Sequence, residues 1–330
     1  MTDRLLAILR APETITLALL VVALAIGAAM SPAFLDAAYL LDKTSFYMPI
    51  AFAALTMTLV IITGNIDLSV ASGTVLVAVA AALAFEQWSL PMAVVIPLAL
   101  ALGTLLGLFN GLLITRLRLP SLVVTLGTLA LFRGLAQVLI EERTVRGFPA
   151  WFVGIDYVKI GIVPLPLVLF LVAAAGLAVL LRRTTFGRSL FAIGTNESAA
   201  RFAGIPTDRV KLLVFALSGL AMGIGALILM SQIRTIDHKQ MRGWELVAIT
   251  AVVLGGTSIF GGRGGMLGTV LAMLLLVVVR SAMGMSNIKA ENQLAVIGTL
   301  LIVSVLLTNL STPGRWARRR TRPTGGTVHA

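Results

Sequence analysis

Long apolar runs alternate with short polar interruptions along the whole chain. The runs occupy 14–30, 46–63, 68–85, 91–115, 120–140, 162–181, 212–231, 244–260, 265–284 and 291–310. A helix needs roughly 20 mainly apolar residues to cross a hydrocarbon core. Most of the runs reach that length, and together they leave little chain for a soluble domain. The pattern predicts an all-α fold, a polytopic transmembrane helical bundle of about ten helices.

The polar interruptions orient the bundle. With the N-terminus on the cytoplasmic side, the inner segments carry sixteen basic residues, among them Arg4, Arg10, Arg116, Arg118, Arg182, Arg183, Arg188 and Arg201. The outer segments carry eight, with most of the acids: Asp36, Asp42, Glu86, Glu141, Glu142, Asp156 and Asp237. Cytoplasmic loops are enriched in Lys and Arg, so both termini are expected to be cytoplasmic. The transmembrane domain is expected over 1–312. Within it lies a cytoplasmic loop at 182–211, and a basic cytoplasmic tail follows at 313–330.

Composition narrows the class further. The chain of 330 residues is 58% hydrophobic and 12% charged, against about 45–50% and about 25% in soluble proteins. A net charge of +12 would suggest nucleic acid in a soluble protein. Here it reads as positive-inside bias and contact with anionic lipid of the bilayer, so no nucleic-acid partner is expected. Cysteine is absent, and His238 and His329 lie far apart. No metal-ligand spacing, catalytic constellation or Walker-type phosphate loop occurs, so neither a metal nor a cofactor is expected. Segment 14–30 follows Arg4 and Arg10 and lacks a small-residue cleavage site before a polar mature region. It reads as a retained transmembrane helix rather than a signal peptide.

Two pairs of runs are joined through glycine-rich breaks. The first break contains Gly64, Asn65 and Asp67; the second contains Gly255, Gly256, Gly261 and Gly262. In the expected topology both are entered from the same side. Irregular backbone near membrane depth is tolerated where protein buries it or water reaches it, and paired interruptions point to transport pathways. Asp67 is the carboxylate of the first break. It reads either as a gate or coupling residue near the cytoplasmic mouth, or as a helix cap accepting from free N–H groups. Arg133 lies inside a run and can line a polar pathway or cap a helix. Arg280, nearer a run's end, reads as a snorkelling side chain. Gly103–Gly107 and Gly219–Gly223 fit close helix packing, within one chain or across a dimer.

The cytoplasmic loop predicts a short helix over 196–203. Asn196 can cap it, Glu197 and Arg201 stand four apart for an ion pair, and Gly204 and Pro206 stop it.

The order of these features resembles a known family. Gly64-Asn-Ile-Asp-Leu-Ser69 resembles the Gly-Gly-Ile-Asp-Leu-Ser signature of ribose-type permeases of bacterial ABC sugar importers. Asn65 stands where the family usually has its second glycine, and asparagine tolerates a left-handed backbone better than most residues. Asn110-Gly-Leu-Leu-Ile-Thr-Arg116 and Leu119-Pro-Ser-Leu-Val-Val-Thr-Leu-Gly-Thr128 look like the family's segment leading into its next helix. The stretch from Gly187 to Ile205, which includes Gly194, is similar to its cytoplasmic coupling segment. Gly255-Gly-Thr-Ser-Ile-Phe-Gly-Gly262 matches its late glycine-rich signature. Together the motifs run in order over about residues 46 to 310.

The resemblance implies a permease subunit of the bacterial inner membrane, working by alternating access. Its implied partners are a second permease subunit, identical or a sister, two cytoplasmic ATPase subunits, and a periplasmic sugar-binding protein. The chain itself would then be no enzyme, ATP hydrolysis residing in the ATPase. Gly194, Asn196, Glu197, Arg201 and Gly204 would form the ATPase-coupling segment. With affinity placed in the binding protein, the pathway needs few polar residues, and no sugar site of stacked aromatics and carboxylates is evident in the sequence. The competing reading is a secondary transporter driven by an ion gradient. It would need intramembrane carboxylates or histidines, for which Asp67 is the candidate.

Overall fold

A computed structural model describes residues 12–310 apart from 142 and 234. The basic residues at 4, 10 and 315–322, and the tail expected at 313–330, lie outside the described residues. The helices are α1 (Pro12–Met30), α2 (Ala37–Ile62), α3 (Val70–Gln87), α4 (Met92–Arg116), α5 (Ser121–Ile140), α6 (Ala150–Val153), α7 (Leu165–Arg183), α8 (Thr185–Thr195), α9 (Glu197–Phe202), α10 (Thr207–Ile233), α11 (Trp244–Leu254), α12 (Met266–Met285) and α13 (Ala290–Leu310). Eight of them, α1–α5, α7, α10 and α12, are long and apolar enough to cross a membrane. The all-α, multi-pass architecture follows.

The run at 244–260 is corrected. Its helix, α11, ends at Leu254 after 11 residues, about 16 Å at 1.5 Å per residue, because Gly255 and Gly256 turn the chain there. The run at 291–310 falls on α13.

Helix α2 forms the axis of the bundle. Every residue from Met48 to Ile62 is buried, and α10, α11, α12 and α7 pack around it. Asp36 starts α2 by accepting the N–H of Ala38 at 2.9 Å, as an N-cap does. The peripheral helices behave differently. Leu105, Phe109 and Leu112 on α4, and Leu122, Val123, Leu126 and Val138 on α5, stand exposed. Helices that are apolar all round suit lipid rather than water.

The most extensive helix–helix packing is between α4 and α10. A Cβ on Gly103 or Gly107 would strike the backbone of Gly219, and one on Gly219 or Gly223 would strike α4 in return. Both small-residue stretches are therefore spent on one crossing within the chain. Backbones approach this closely only where side chains are absent.

At one end of the bundle, β1 (Lys159–Ile160) pairs antiparallel with β2 (Val163–Pro164). Lys159 reaches Asp42 at 2.7 Å, and Val145 bridges Ile236.

Candidate functional site

Each glycine break begins with the same backbone turn. After α2, Gly64 takes φ +78, its N–H donates to Ile61 O at 2.9 Å, and the N–H of Asn65 donates to Val60 O at 3.2 Å. After α11, Gly256 takes φ +89, its N–H donates to Val253 O at 2.9 Å, and that of Thr257 to Val252 O at 3.1 Å. Both are Schellman caps, which need a left-handed residue at the first position past the helix. The left-handed residue of the first break is thus Gly64. Asn65 has ordinary φ, and its Nδ2 donates to Thr63 Oγ1 at 2.9 Å. The missing second glycine leaves the turn unaltered.

Beyond the cap, Asp67 is fully buried and holds the first break to a neighbouring helix. Its Oδ1 accepts from Ser69 N–H at 3.0 Å and from Ser69 Oγ at 2.6 Å. Its Oδ2 accepts from Ser218 Oγ of α10 at 2.8 Å. Asn110 of α4 donates to Ser69 Oγ at 2.8 Å, and Thr125 of α5 donates to Ile66 O at 3.1 Å. A loop that would cost several kcal/mol if unsatisfied in hydrocarbon is stitched to three helices. The N-cap of α3 is Ser69, so Asp67 stands two residues ahead of the cap expected of it. No salt bridge reaches it among the described residues.

The two breaks meet. Gly262 N–H donates to Ile62 O at 2.9 Å, and Gly261 (φ +82) lies against Gly64. Helix α8 reaches the same point: a Cβ on Gly194 would strike both Ile62 O and Gly262 N, and one on Gly262 would strike Thr195. Residues far apart in sequence, Gly64, Gly194, Gly261 and Gly262, thus form one backbone junction. Gly255 lies at its α11 side, packed on Gly268 of α12.

The 182–211 segment holds two helices rather than the single short one expected. Helix α7 runs on to Arg183, and Thr184 caps α8 by accepting from Gly187 N–H at 3.1 Å. Leu190 and Ile193 bury the inner face of α8. Asn196 caps α9 as expected, accepting from Ala199 N–H at 3.0 Å. Gly204 ends α9 with φ +82 in a third cap of the same kind. The Glu197–Arg201 pair forms at 3.6 Å, but shorter partners hold both residues. Arg201 meets Asp208 at 2.7 Å and Glu197 meets Lys211 at 2.6 Å. Helix α9 is thereby braced on the start of α10. Asp208 holds the Arg201 guanidinium above its ordinary pKa, by hydrogen bond first and by charge second.

Phe202 projects from α9 with 93% of its surface exposed. Its signal in the sequence is a lone aromatic beside Arg201, which periodicity treats as one more apolar position.

The arginines fall at the opposite end. Arg133 donates from Nη1 to Gln240 O at 3.3 Å. Arg280 does not snorkel: it is 7% exposed, its guanidinium 5.5 Å from the Tyr47 ring centre and 5.8 Å from that of Trp244. The structure does not bring Arg133 to the glycine junction.

A multi-pass bundle with two glycine-broken helices meeting beside a displayed short helix has the form of a membrane transport component. The family model described as branched-chain amino acid transport system / permease component matches residues 39–305. The chain belongs to this permease family, in the ribose-type ABC importer branch, and is a multi-pass protein of the inner membrane. The autoinducer 2 import system permease protein LsrD of Enterobacter sp. (strain 638) is 38% identical over 93% of this chain and 95% of its own length. LsrD of Klebsiella pneumoniae is 37% identical over 93% and 94%, and that of Photorhabdus laumondii 36% identical over 89% and 90%. No solved structure matches.

Proposed function

We propose that this chain carries a small sugar-like molecule inward as one permease of an ABC importer, the work being done by an ATPase docked beneath α9. The observation that supports this most is the junction at Gly194. Helix α9 is braced by Lys211 and Asp208, and Gly194, at the end of α8 just before it, sets its backbone against both helix breaks. Closure of an ATPase around α9 would therefore push on the end of α2 and on the glycine break that follows α11 together. Coupling of this sort needs a contiguous element that both sites bias, and the junction supplies direct backbone contact between them.

In this reading both termini and the 182–211 segment are cytoplasmic, residues 1–312 form the permease domain, and 313–330 lie along the anionic leaflet. A second permease subunit completes the pathway, ATP hydrolysis belongs to separate ATPase subunits, and a periplasmic binding protein delivers the cargo. Glu197, Arg201, Gly204 and Phe202 form the docking face, while Gly64, Asn65, Asp67, Gly255, Gly256, Gly261 and Gly262 act at the gate. The names of the LsrD relatives make autoinducer 2 the first cargo to test, beside simple pentoses.

The ion-gradient alternative is less favoured. Asp67, its candidate relay, is engaged on both oxygens by Ser69 and Ser218, which suits a structural lock. The deciding experiment is uptake of labelled autoinducer 2 and D-ribose into proteoliposomes holding the permease, its ATPase and its binding protein. Uptake requiring both ATP and the binding protein supports the proposal. Gradient-driven uptake with the ATPase absent overturns it.

A further inference from the structure

The last four carbonyls of a helix have no partner within it, and each glycine break leaves one of them to be satisfied from elsewhere. At the end of α2 the cap takes the first three. Thr63 N–H donates to Leu59 O, Asn65 N–H to Val60 O and Gly64 N–H to Ile61 O. The fourth, Ile62 O, receives Gly262 N–H from the second break. At the end of α11 the same three positions are taken. Gly255 N–H donates to Ala251 O, Thr257 N–H to Val252 O and Gly256 N–H to Val253 O. The fourth is Leu254 O. Among the described residues no backbone N–H reaches it, and its donor is Thr16 Oγ1 of α1 at 2.7 Å.

Thr16 stands apart from the rest of its helix. Leu17, Val21, Val22, Ile26 and Met30 are exposed, whereas Thr16 is fully buried. Gly27 lies about three turns further along the same face of α1, and the buried Phe34 ring fills the notch it leaves. Helix α1 packs along α12, held at one end by Phe34 and at the other by Thr16. The two breaks are held unequally. Ser218, Asn110 and Thr125 stitch the first to α10, α4 and α5. In the second, Thr257 Oγ1 is buried without a partner. Among the described residues, Thr16 is the one side chain from outside α11 and α12 that hydrogen-bonds the stretch from Leu254 to Gly265.

We propose that Thr16 is a positioning residue of the coupling junction. Its hydroxyl anchors the start of the second break, so that a push arriving at Gly262 moves α11 instead of unwinding its last turn. The second break then runs between two fixed points, Leu254 on α1 and Gly262 on the end of α2. The inference rests on the importer reading and adds α1, a helix at the lipid boundary, to the elements that carry the ATPase stroke. Losing the hydroxyl strands the carbonyl of a buried residue, and a buried acceptor without a donor is costly. The second break would open locally while the stitched first break stays closed, as segments with fewer fixed contacts do.

The test uses the full complex in proteoliposomes. The chain has no cysteine, so the thiol introduced by Thr257→Cys, at a position 1% exposed, reports opening of the second break through its rate of modification by N-ethylmaleimide. The exchange breaks no bond of the Thr257 hydroxyl, which has none. Ser72→Cys, buried in α3 just past the first break, is the control site. Thr16→Val keeps the volume and branching of the side chain and removes the hydroxyl. Modification at position 257 should then speed up roughly tenfold, as expected of one stranded buried acceptor, while that at position 72 changes less than about twofold. Thr16→Ser, which keeps the hydroxyl, should restore the slow rate. ATP hydrolysed per molecule of cargo taken up should rise in Thr16→Val and fall back in Thr16→Ser. An unchanged rate at position 257, equal acceleration at both positions, or Thr16→Ser behaving as Thr16→Val overturns the anchor. If the unaltered complex takes up neither autoinducer 2 nor D-ribose with ATP, the importer reading fails instead, and the modification rates still decide whether Thr16 holds the break.

Discussion

The backbone N–H of Gly262 donates to the carbonyl oxygen of Ile62 at 2.9 Å. That single bond joins the last turn of α2 to a loop two hundred positions later. Gly194 fills the remaining space beside both partners, so any displacement of α8 must move this bond or break it.

Adding one methyl group tests the junction. Gly194→Ala places a Cβ against Ile62 O and the Gly262 nitrogen, both backbone atoms that cannot rotate away. Overpacking of this kind costs about 1–3 kcal/mol. Thermal unfolding of the purified permease should shift downward, and ATP hydrolysis should lose its dependence on loaded binding protein. Gly127→Ala, on α5 with open space around it, serves as the control. It should be neutral or stabilising by up to about 1 kcal/mol, because alanine is the better helix former.

The Asp67 lock separates a structural role from a coupling one. Ser218→Ala removes one bond to Asp67 Oδ2, and interhelical bonds within membranes average about 0.6 kcal/mol. Asp67→Ala removes three bonds and strands Ser69 and Ser218, and should cost more than the serine change. If Asp67→Asn transports normally under ATP at every imposed proton gradient, proton coupling through this carboxylate is excluded.

Docking beneath α9 is expected to depend on Phe202. A side chain 93% exposed contributes little to the permease's own fold, so Phe202→Ala should leave its melting point unchanged. Interface aromatics at hot spots contribute about 2 kcal/mol or more, which converts to roughly 30-fold weaker binding of the ATPase. Titration of detergent-solubilised permease with the ATPase reads this directly. Equal affinity of the two forms would move the docking face elsewhere.

Gly204 distinguishes conformation from contact. Its φ is +82, and nothing lies within 4 Å of where a Cβ would stand. Gly204→Ala should cost about 1–2 kcal/mol through the left-handed backbone alone. Gly204→Asn should recover part of it, because asparagine accepts that region more readily. Equal losses in both variants, measured by thermal unfolding, would point to a contact instead.

Much of this was legible in the chain. Apolar runs of membrane length place nearly every long helix, since lipid as solvent leaves no other way to satisfy the backbone. The caps at Asn196 and Gly204 and the glycine breaks could be read locally, because a turn is decided by the few residues within it. Local pattern misplaced the end of α11 and overlooked α8, whose Gly187 and Gly194 look like loop residues until their neighbours are seen. The position of Arg280 in its helix suggested snorkelling. Only the approach of Tyr47 and Trp244 from two other helices buries it.

Motif order alone determined the class of protein, because each motif is a short contiguous stretch with its own backbone requirement. The tertiary structure decided that Gly64, Gly194 and Gly262 share one junction and that Asp67 faces Ser218. Those relations depend on how helices distant in sequence cross. The crossings are set by the summed packing of the whole bundle, as at Gly103 and Gly219, and no single segment carries that information.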